Sequence, residues 1–423
     1  MKKSTVHLIF LWAAVLAAGS LPANAGSAGG RDADERRLHY SIVGSSSCDR
    51  TPCFNGVMER IPVQRFLLEL AGGPLERAKA EARDLGASGI ADLLKLRLIR
   101  FDGDRYLLNF ALFTAADVGR IREISERYAG SLAEALLARR ADIEAALRAY
   151  DVPGVDPGMI AYFLLGCVSL DWDGLAVTDE KKYRKTTEER FDGSYVPAAE
   201  ELGETSLEKI YWGSHYEEFS GVHFTSFGDH HALPRMLFPD LLWNVPGLSS
   251  RYPEAVRNAH RELLSDSLRR GGAKIGRMML ALREGPKAAW DLARAAGTDE
   301  DESRVFLRLL SVLEYVREKD GWYETRIPVL TGRDAVMTAE LRAIGRRVME
   351  QWLAGNYDRL AADLDGLSFT RSGVPFSEGF TMIWHYLFGI VNRKLVEAGL
   401  FADPYEPGRA FKGALPAVCD LDL

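Results

Sequence analysis

The stretch Gly103-Asp104-Arg105-Tyr106, followed by Thr114-Ala115-Ala116-Asp117, decides the fold because the chain contains a related stretch further on. The second copy is Asp320-Gly321-Trp322-Tyr323, followed by Thr331-Gly332-Arg333-Asp334, and its Tyr, Thr and Asp recur at one offset of 217 residues. Internal similarity at a fixed offset is typical of a duplicated chain. We therefore expect two related halves.

The residues around each copy predict three helices and a β-hairpin. In the first copy, apolar residues between 63 and 70 recur at helical spacing, and Gly72-Gly73-Pro74 ends that helix and starts a second. A third helix begins after Ser88. Two short strands then surround the Asp102-Gly103 turn. The predicted fold class is mainly α with small β-hairpins.

Three helices followed by a hairpin is an order similar to the winged helix of MarR and ArsR regulators. The resemblance rests on element order and implies only the fold. It predicts tandem duplicated winged-helix-like halves, each extended by long helices that begin after Thr114 and Thr331.

Composition and repeats together predict six segments. They are a signal peptide over residues 1–25, a flexible segment with a Cys pair over 26–61, a first repeat with its helices over 62–170, a unique His- and aromatic-rich insert over 171–252, a second repeat over 253–411, and a C-terminal tail over 412–423.

The first 25 residues have the order of an export signal. Lys2 and Lys3 precede an apolar run, which ends at the small-residue site Ala23-Asn24-Ala25. We expect an exported protein, periplasmic or secreted, with no transmembrane span in the mature chain. Removing the two lysines takes the formal charge from -7 to -9. Such an acidic chain is not attracted to nucleic acid.

The cysteines fit an oxidising compartment. Cys48 and Cys53 are close enough in sequence to close a small loop, and we predict a disulfide between them. Cys167 lies in an apolar run and is interpreted as a small buried hydrophobe.

Direct DNA binding is disfavoured by the third helix of the second copy. A reading helix needs Arg, Lys, Asn or Gln for bases and cations for phosphates. This helix opens with Asp299-Glu300-Asp301-Glu302, which would repel a phosphate backbone. The interpretation that survives is a scaffold or protein-contact surface.

The insert carries the candidate functional residues. Four of the eight His fall within 17 residues, among carboxylates and aromatic rings. We predict that ligand binding involves Tyr211, Trp212, His215, His223, Phe227, Asp229, His230 and His231. Neutral imidazole with carboxylate also suits zinc, and the zinc hypothesis uses His215, His223, Asp229, His230 and His231 as ligands. Asp171-Trp172-Asp173-Gly174, at the start of the insert, is interpreted as a turn.

Two hypotheses from different classes remain. The first is a non-enzymatic binding or scaffold protein that presents the insert to a protein, peptide or glycan. The second is a metal-dependent hydrolase in which Glu217 or Glu218 is the base. The sequence contains no phosphate loop and no Gly-x-Ser-x-Gly elbow, no Rossmann glycine motif follows a predicted strand, and no Ser-x-x-Lys occurs in the sequence context of a serine hydrolase.

We predict that cleavage follows Ala25, because the basic, apolar and small-residue regions occur in the order that signal peptidase requires. N-terminal sequencing of the protein recovered from cell fractions checks this. The expected mature chain begins at Gly26, and full-length protein confined to the cytosol would contradict export.

Overall fold

The computed structural model describes residues 37–85, 88–202, 209–228, 270–407 and 413–421. The chain is about 54% helical, with 19% strand in small sheets. This confirms the coarse prediction of a mainly α protein with small β elements.

Fourteen α-helices are described, and one of them is described only over residues 270–283. The α-helices are α1 (Phe54–Met58), α2 (Ile61–Gly72), α3 (Arg77–Glu81), α4 (Gly89–Lys95), α5 (Ala115–Leu137), α6 (Arg140–Leu147), α7 (Pro157–Ala161), α8 (Gly174–Glu180), α9 (residues 270–283), α10 (Ala289–Ala296), α11 (Glu300–Val312), α12 (Ala335–Asp363), α13 (Ser368–Arg371) and α14 (Phe376–Glu397). A π-helix, π1 (Tyr162–Asp173), joins α7 to α8, and a 3-10 turn covers Gly332–Asp334.

The described strands are short and number fourteen. They are β1 (Leu38–Ser46), β2 (Leu75–Glu76), β3 (Ile99–Asp102), β4 (Arg105–Leu108), β5 (Ala111–Phe113), β6 (Glu189–Arg190), β7 (Gly193–Glu201), β8 (Ser214–Phe219), β9 (Val222–Gly228), β10 (Lys287–Ala288), β11 (Val316–Lys319), β12 (Trp322–Thr325), β13 (Val329–Leu330) and β14 (Ala414–Cys419).

The chain divides into two compact units, each made of three segments. Unit 1 contains Met1–Tyr128, Leu175–Ser206 and Leu353–Leu387, and unit 2 contains Ala129–Gly174, Leu207–Trp352 and Phe388–Leu423. The division falls inside α5, α12 and α14. The compact units therefore differ from the contiguous segments that the repeat predicted over 62–170 and 253–411.

Unit 1 contains two sheets and a dense apolar core. The smaller sheet has the order β2-β4-β3, and the larger has the order β1-β7-β5 with β6 also paired to β7. Leu75 lies opposite Tyr106 in the smaller sheet. Side chains from α1, α2 and α4 pack with those of β1, β4 and β7 in one core that includes Phe54, Leu67 and Tyr195.

The segment predicted as flexible between residues 26 and 61 differs from that prediction where it is described. β1 pairs with β7 along its whole length, from Leu38 opposite Glu201 to Ser46 opposite Gly193. Its glycine serves close packing, because a Cβ on Gly44 would lie 2.3 Å from the carbonyl oxygen of Ser194. This glycine is therefore needed inside a strand pair.

Unit 2 also contains two sheets, with the orders β10-β12-β11 and β13-β14-β9-β8. Lys287 lies opposite Tyr323 in the smaller sheet. The predicted tail over 412–423 contains β14, which lies between β13, to which it is parallel, and β9. The predicted insert over 171–252 contributes β6 and β7 to unit 1 and β8 and β9 to unit 2.

Both long helices begin with the same hydrogen bonds. The backbone N–H of Thr114 donates to Asp117 Oδ2 over 2.9 Å, and that of Thr331 donates to Asp334 Oδ2 over 2.9 Å. These bonds satisfy donors that a helix start leaves unpaired. Asp334 also pairs with the buried guanidinium of Arg283, at 2.6 and 3.1 Å.

Cys48 and Cys53 form the predicted disulfide, with their Cα atoms 5.0 Å apart. Cys167 is a buried free thiol, and its burial agrees with its apolar surroundings in the sequence. Cys419 is also a buried free thiol.

One described helix, Pro157–Glu180, is long and apolar enough to cross a membrane, and 78% of its most apolar window is buried inside the protein. Core helices of soluble proteins have similar length and apolar composition, so this helix is weak evidence for a membrane span.

We expect Asp334→Ala to lower the free energy of unfolding by about 3–5 kcal/mol, because it leaves the buried Arg283 without its main partner. Asp117→Ala should cost only about 1–2 kcal/mol, since among the described residues its carboxylate accepts hydrogen bonds only from neutral groups, the N–H groups of Thr114 and Ser368 and the Thr114 hydroxyl. Urea denaturation of both variants measures the difference. Equal losses would contradict the role given to Arg283.

Candidate ligand-binding site

The π-helix π1 covers one face of the larger sheet of unit 2. The Tyr162 ring lies 5.2 Å from that of Phe227 in β9, measured between ring centroids, and 5.5 Å from that of Phe401. Ser169 Oγ donates to the carbonyl oxygen of Leu164 over 2.9 Å, five residues back. Stretches of π-helix are rare in proteins, and those that occur are often found at functional sites. The π-helix therefore indicates a candidate functional site where π1 packs on this sheet.

Helix α12 holds π1 in place through close packing and one ion pair. A Cβ on Gly345 would lie 2.6 Å from Cβ of Ser169, so the two helices approach as closely as glycine allows. One turn earlier, Arg342 donates to both carboxylate oxygens of Asp173, over 2.9 and 2.7 Å. The planar guanidinium and carboxylate fix the end of π1 in a bidentate geometry.

Trp172, which directly precedes Asp173 in π1, is half-buried, and so is Tyr216 in β8. Trp172 and Tyr216 meet edge to face, with centroids 6.2 Å apart and planes at 84°. Tyr216 stacks on His223 at 5.0 Å, and its hydroxyl is hydrogen-bonded to His223 Nδ1. His223 itself is buried. The aromatic–ionic site is defined here as Trp172, Asp173, Tyr216, His223 and Arg342.

The site combines apolar and hydrogen-bonding surface. The rings of Trp172 and Tyr216 supply flat apolar area, while the side chain of Arg342 stays 32% exposed and that of Asp173 13% exposed. Binding sites for organic ligands usually combine aromatic walls with a few well-placed polar groups. The arrangement can bind a ligand that has both an apolar face and hydroxyl or amide groups.

Three of the predicted ligand-binding residues belong to the core of unit 2. Phe227 is fully buried against Tyr162, and Tyr211 and Trp212 are each 7% exposed. The carbonyl oxygen of Tyr211 accepts a hydrogen bond from Asn392 Nδ2 over 3.0 Å. Their aromatic side chains thus pack in the core, and among the predicted residues whose side chains are described, His223 belongs to the aromatic–ionic site.

The other predicted ligands lie wholly or partly outside the described residues. His215 occupies a position of β8 opposite Ser226, and its side chain is not described. Asp229, His230 and His231 fall outside the described ranges altogether. Within residues 37–85, 88–202, 209–228, 270–407 and 413–421, no group of three or more His, Cys, Asp or Glu side chains is placed to hold a metal. The zinc hypothesis stays a prediction.

The two thiols near this sheet are unsuited to nucleophilic chemistry. Burial raises the pKa of Cys419, opposite His223 in the sheet, to about 12. Burial raises the pKa of Cys167 in π1 well above its usual value, and the neighbouring Asp171 carboxylate adds to this. Both side chains therefore remain protonated thiols at neutral pH, and a thiol attacks and ligates poorly.

The sequence did not predict Trp172, Asp173, Tyr216 or Arg342 as site residues. Asp171-Trp172-Asp173-Gly174 predicted a turn, yet Trp172 and Asp173 form the last residues of π1. The one local signal was an aromatic residue flanked by carboxylates directly after an apolar run. Nothing in the sequence connects Asp173 with Arg342, which is 169 residues away.

A comparison with protein-family models found no match, and searches of the curated proteins and of the solved structures found none either.

We expect Gly345→Ala to destabilise the protein by about 1–3 kcal/mol, because the new methyl group overlaps Ser169 and forces α12 and π1 apart. Gly355→Ala, on the exposed side of the same helix, is the matched control. A Cβ there meets nothing within 4 Å, so it should stabilise by about 0.5–1 kcal/mol. Thermal unfolding and near-UV circular dichroism measure both, and a neutral Gly345→Ala would contradict the close packing.

Proposed function

We propose that the chain is an exported, non-enzymatic binding protein that presents the aromatic–ionic site to a glycan. The observation that carries this proposal is the pair of half-buried rings, Trp172 and Tyr216, set edge to face, with Trp172 next in the chain to Asp173, which forms the ion pair with Arg342. A sugar ring has an apolar face that packs on an aromatic ring and hydroxyl groups around its edge. The carboxylate and guanidinium edges supply acceptors and donors for such hydroxyls.

The scaffold of this binding protein is proposed to be a tandem duplication of a winged-helix-like module. Support comes from the order helix, strand, two helices and hairpin, which occurs in α2–β4 and again in α9–β12. In both, the first strand pairs with the last, and the matched residues Tyr106 and Tyr323 lie opposite Leu75 and Lys287. This is the element order of MarR and ArsR regulators.

The proposed scaffold does not use its third helix to read DNA. Asp299 accepts the backbone N–H of Glu302 over 2.8 Å, and Lys274 donates to Glu302. At the acidic start of α11, Asp299 and Glu302 are therefore engaged in capping the helix and in pairing with α9. Its negative charge supports a protein or glycan partner over a nucleic acid.

Trp172→Ala tests the function, with Trp290→Ala as the matched control because Trp290 is 55% exposed in α10 of the same unit. The labelled mature protein is applied to a glycan array, and its best oligosaccharide is then titrated by calorimetry. We expect Trp172→Ala to weaken binding at least about tenfold, as loss of an aromatic anchor does. Trp290→Ala should leave the affinity unchanged.

Two outcomes would contradict the proposal. Equal loss in both tryptophan variants would mean that the aromatic–ionic site is not where the glycan binds. A protein that binds no glycan, and instead selects peptides from a displayed library through Trp172, would replace the glycan by a peptide ligand.

A further inference from the structure

Helix α11 of unit 2 presents one exposed stripe. Asp301, Val305, Arg308 and Val312 are spaced by four, three and four residues, which places them within about 60° of one another around the helix. All four are exposed, and Val305 and Val312 are 60% and 66% exposed. The two valines therefore place apolar area on the same exposed face as the two charges.

The two charges of the stripe have no ion-pair or hydrogen-bond partner within the described part of the chain. The neighbouring Arg304 forms an ion pair with Glu300, and Lys274 forms one with Glu302. Asp301 and Arg308 form no ion pair with any described residue. They lie on the same face, seven residues apart, and have opposite signs. One valine, Val305, lies between them.

The equivalent helix of the first module has no such stripe. In α4, the exposed positions are Ala91 and Lys95, and its large apolar side chains are buried or half-buried. The stripe of α11 is thus particular to the second module and does not follow from the helix's place in the fold.

We propose that the stripe is a self-association surface and that its occupant is α11 of a second copy of this chain. An antiparallel approach of two α11 helices about a two-fold axis at Val305 brings the two Val305 side chains together. It also sets Asp301 of each copy beside Arg308 of the other, so one surface makes two ion pairs with itself. Such self-complementarity is what a two-fold interface requires, and antiparallel helix dipoles attract.

The charge order selects a second copy over other occupants. A nucleic acid would gain from Arg308 but would be repelled by Asp301 and by the acidic first turn beside it. An antiparallel partner helix that matches the stripe needs a basic residue seven positions after an acidic one. Helix α11 has this spacing itself, in Asp301 and Arg308.

Sedimentation of the full mature chain over a wide concentration range tests the proposal. Wild type should form a dimer that high salt weakens, because exposed ion pairs are screened. Val305→Glu should give a monomer. Val336→Glu is the control, since Val336 is 80% exposed at the start of α12 and outside the stripe.

A charge exchange makes the test specific to two identical copies. Asp301→Arg and Arg308→Asp should each raise the dissociation constant at least about tenfold, because each sets like charges opposite one another. The double variant restores both ion pairs and should return the constant close to that of wild type. Circular dichroism verifies that all variants are folded. We expect them to fold because every substituted side chain is exposed.

A wild type that stays monomeric throughout, or a dimer indifferent to Val305→Glu, would overturn the proposal. A double variant no better than either single variant would do the same. Binding of duplex DNA that is lost in Arg308→Asp and not recovered in the double variant would assign the stripe to nucleic acid instead.

Discussion

Each unit depends on a strand that arrives late in its sequence and enters the middle of a sheet. In unit 1, β7 lies between β1 and β5, and it pairs with β1 over nine residues. In unit 2, β14 lies between β13 and β9. Neither sheet is complete before its last strand is in place, because β1 does not pair with β5 and β9 does not pair with β13. Backbone hydrogen bonds between distant segments therefore set the architecture, and the loop-closure entropy of long separations opposes them.

The parts of this fold that sequence predicts are the local ones. The turns at Gly103 and Gly321 have positive φ and join short strands in both hairpins, and the Thr–Asp pairs that begin the long helices form the same hydrogen bonds. The Cys48–Cys53 disulfide closes a loop between near neighbours. Each of these features depends on residues within a few positions of one another, and the physical rule that predicts it needs no knowledge of the rest of the chain.

The parts that sequence did not predict are long-range. β1 was predicted as part of a flexible segment, and only the carbonyl oxygen of Ser194 in β7, 2.3 Å from where a Cβ would lie, explains Gly44 within a strand. The residues after 412 looked like a tail because nothing local indicates that β14 has a partner on both sides. The candidate site shares this origin. Trp172 and Tyr216 lie on different elements, and Arg342 comes from a third. Only His223 was chosen from the sequence.

The candidate site rests on the same closing strand. Cys419 of β14 lies opposite His223, and His223 carries the Tyr216 ring that faces Trp172. Without β14, β9 loses one of its two neighbouring strands. We infer that this C-terminal strand holds the aromatic–ionic site together. Native-state hydrogen exchange can compare the full chain with the same chain ending at residue 412. We expect the amides of β9 and π1 to lose protection when β14 is absent. Full protection of both in the shortened chain would contradict it.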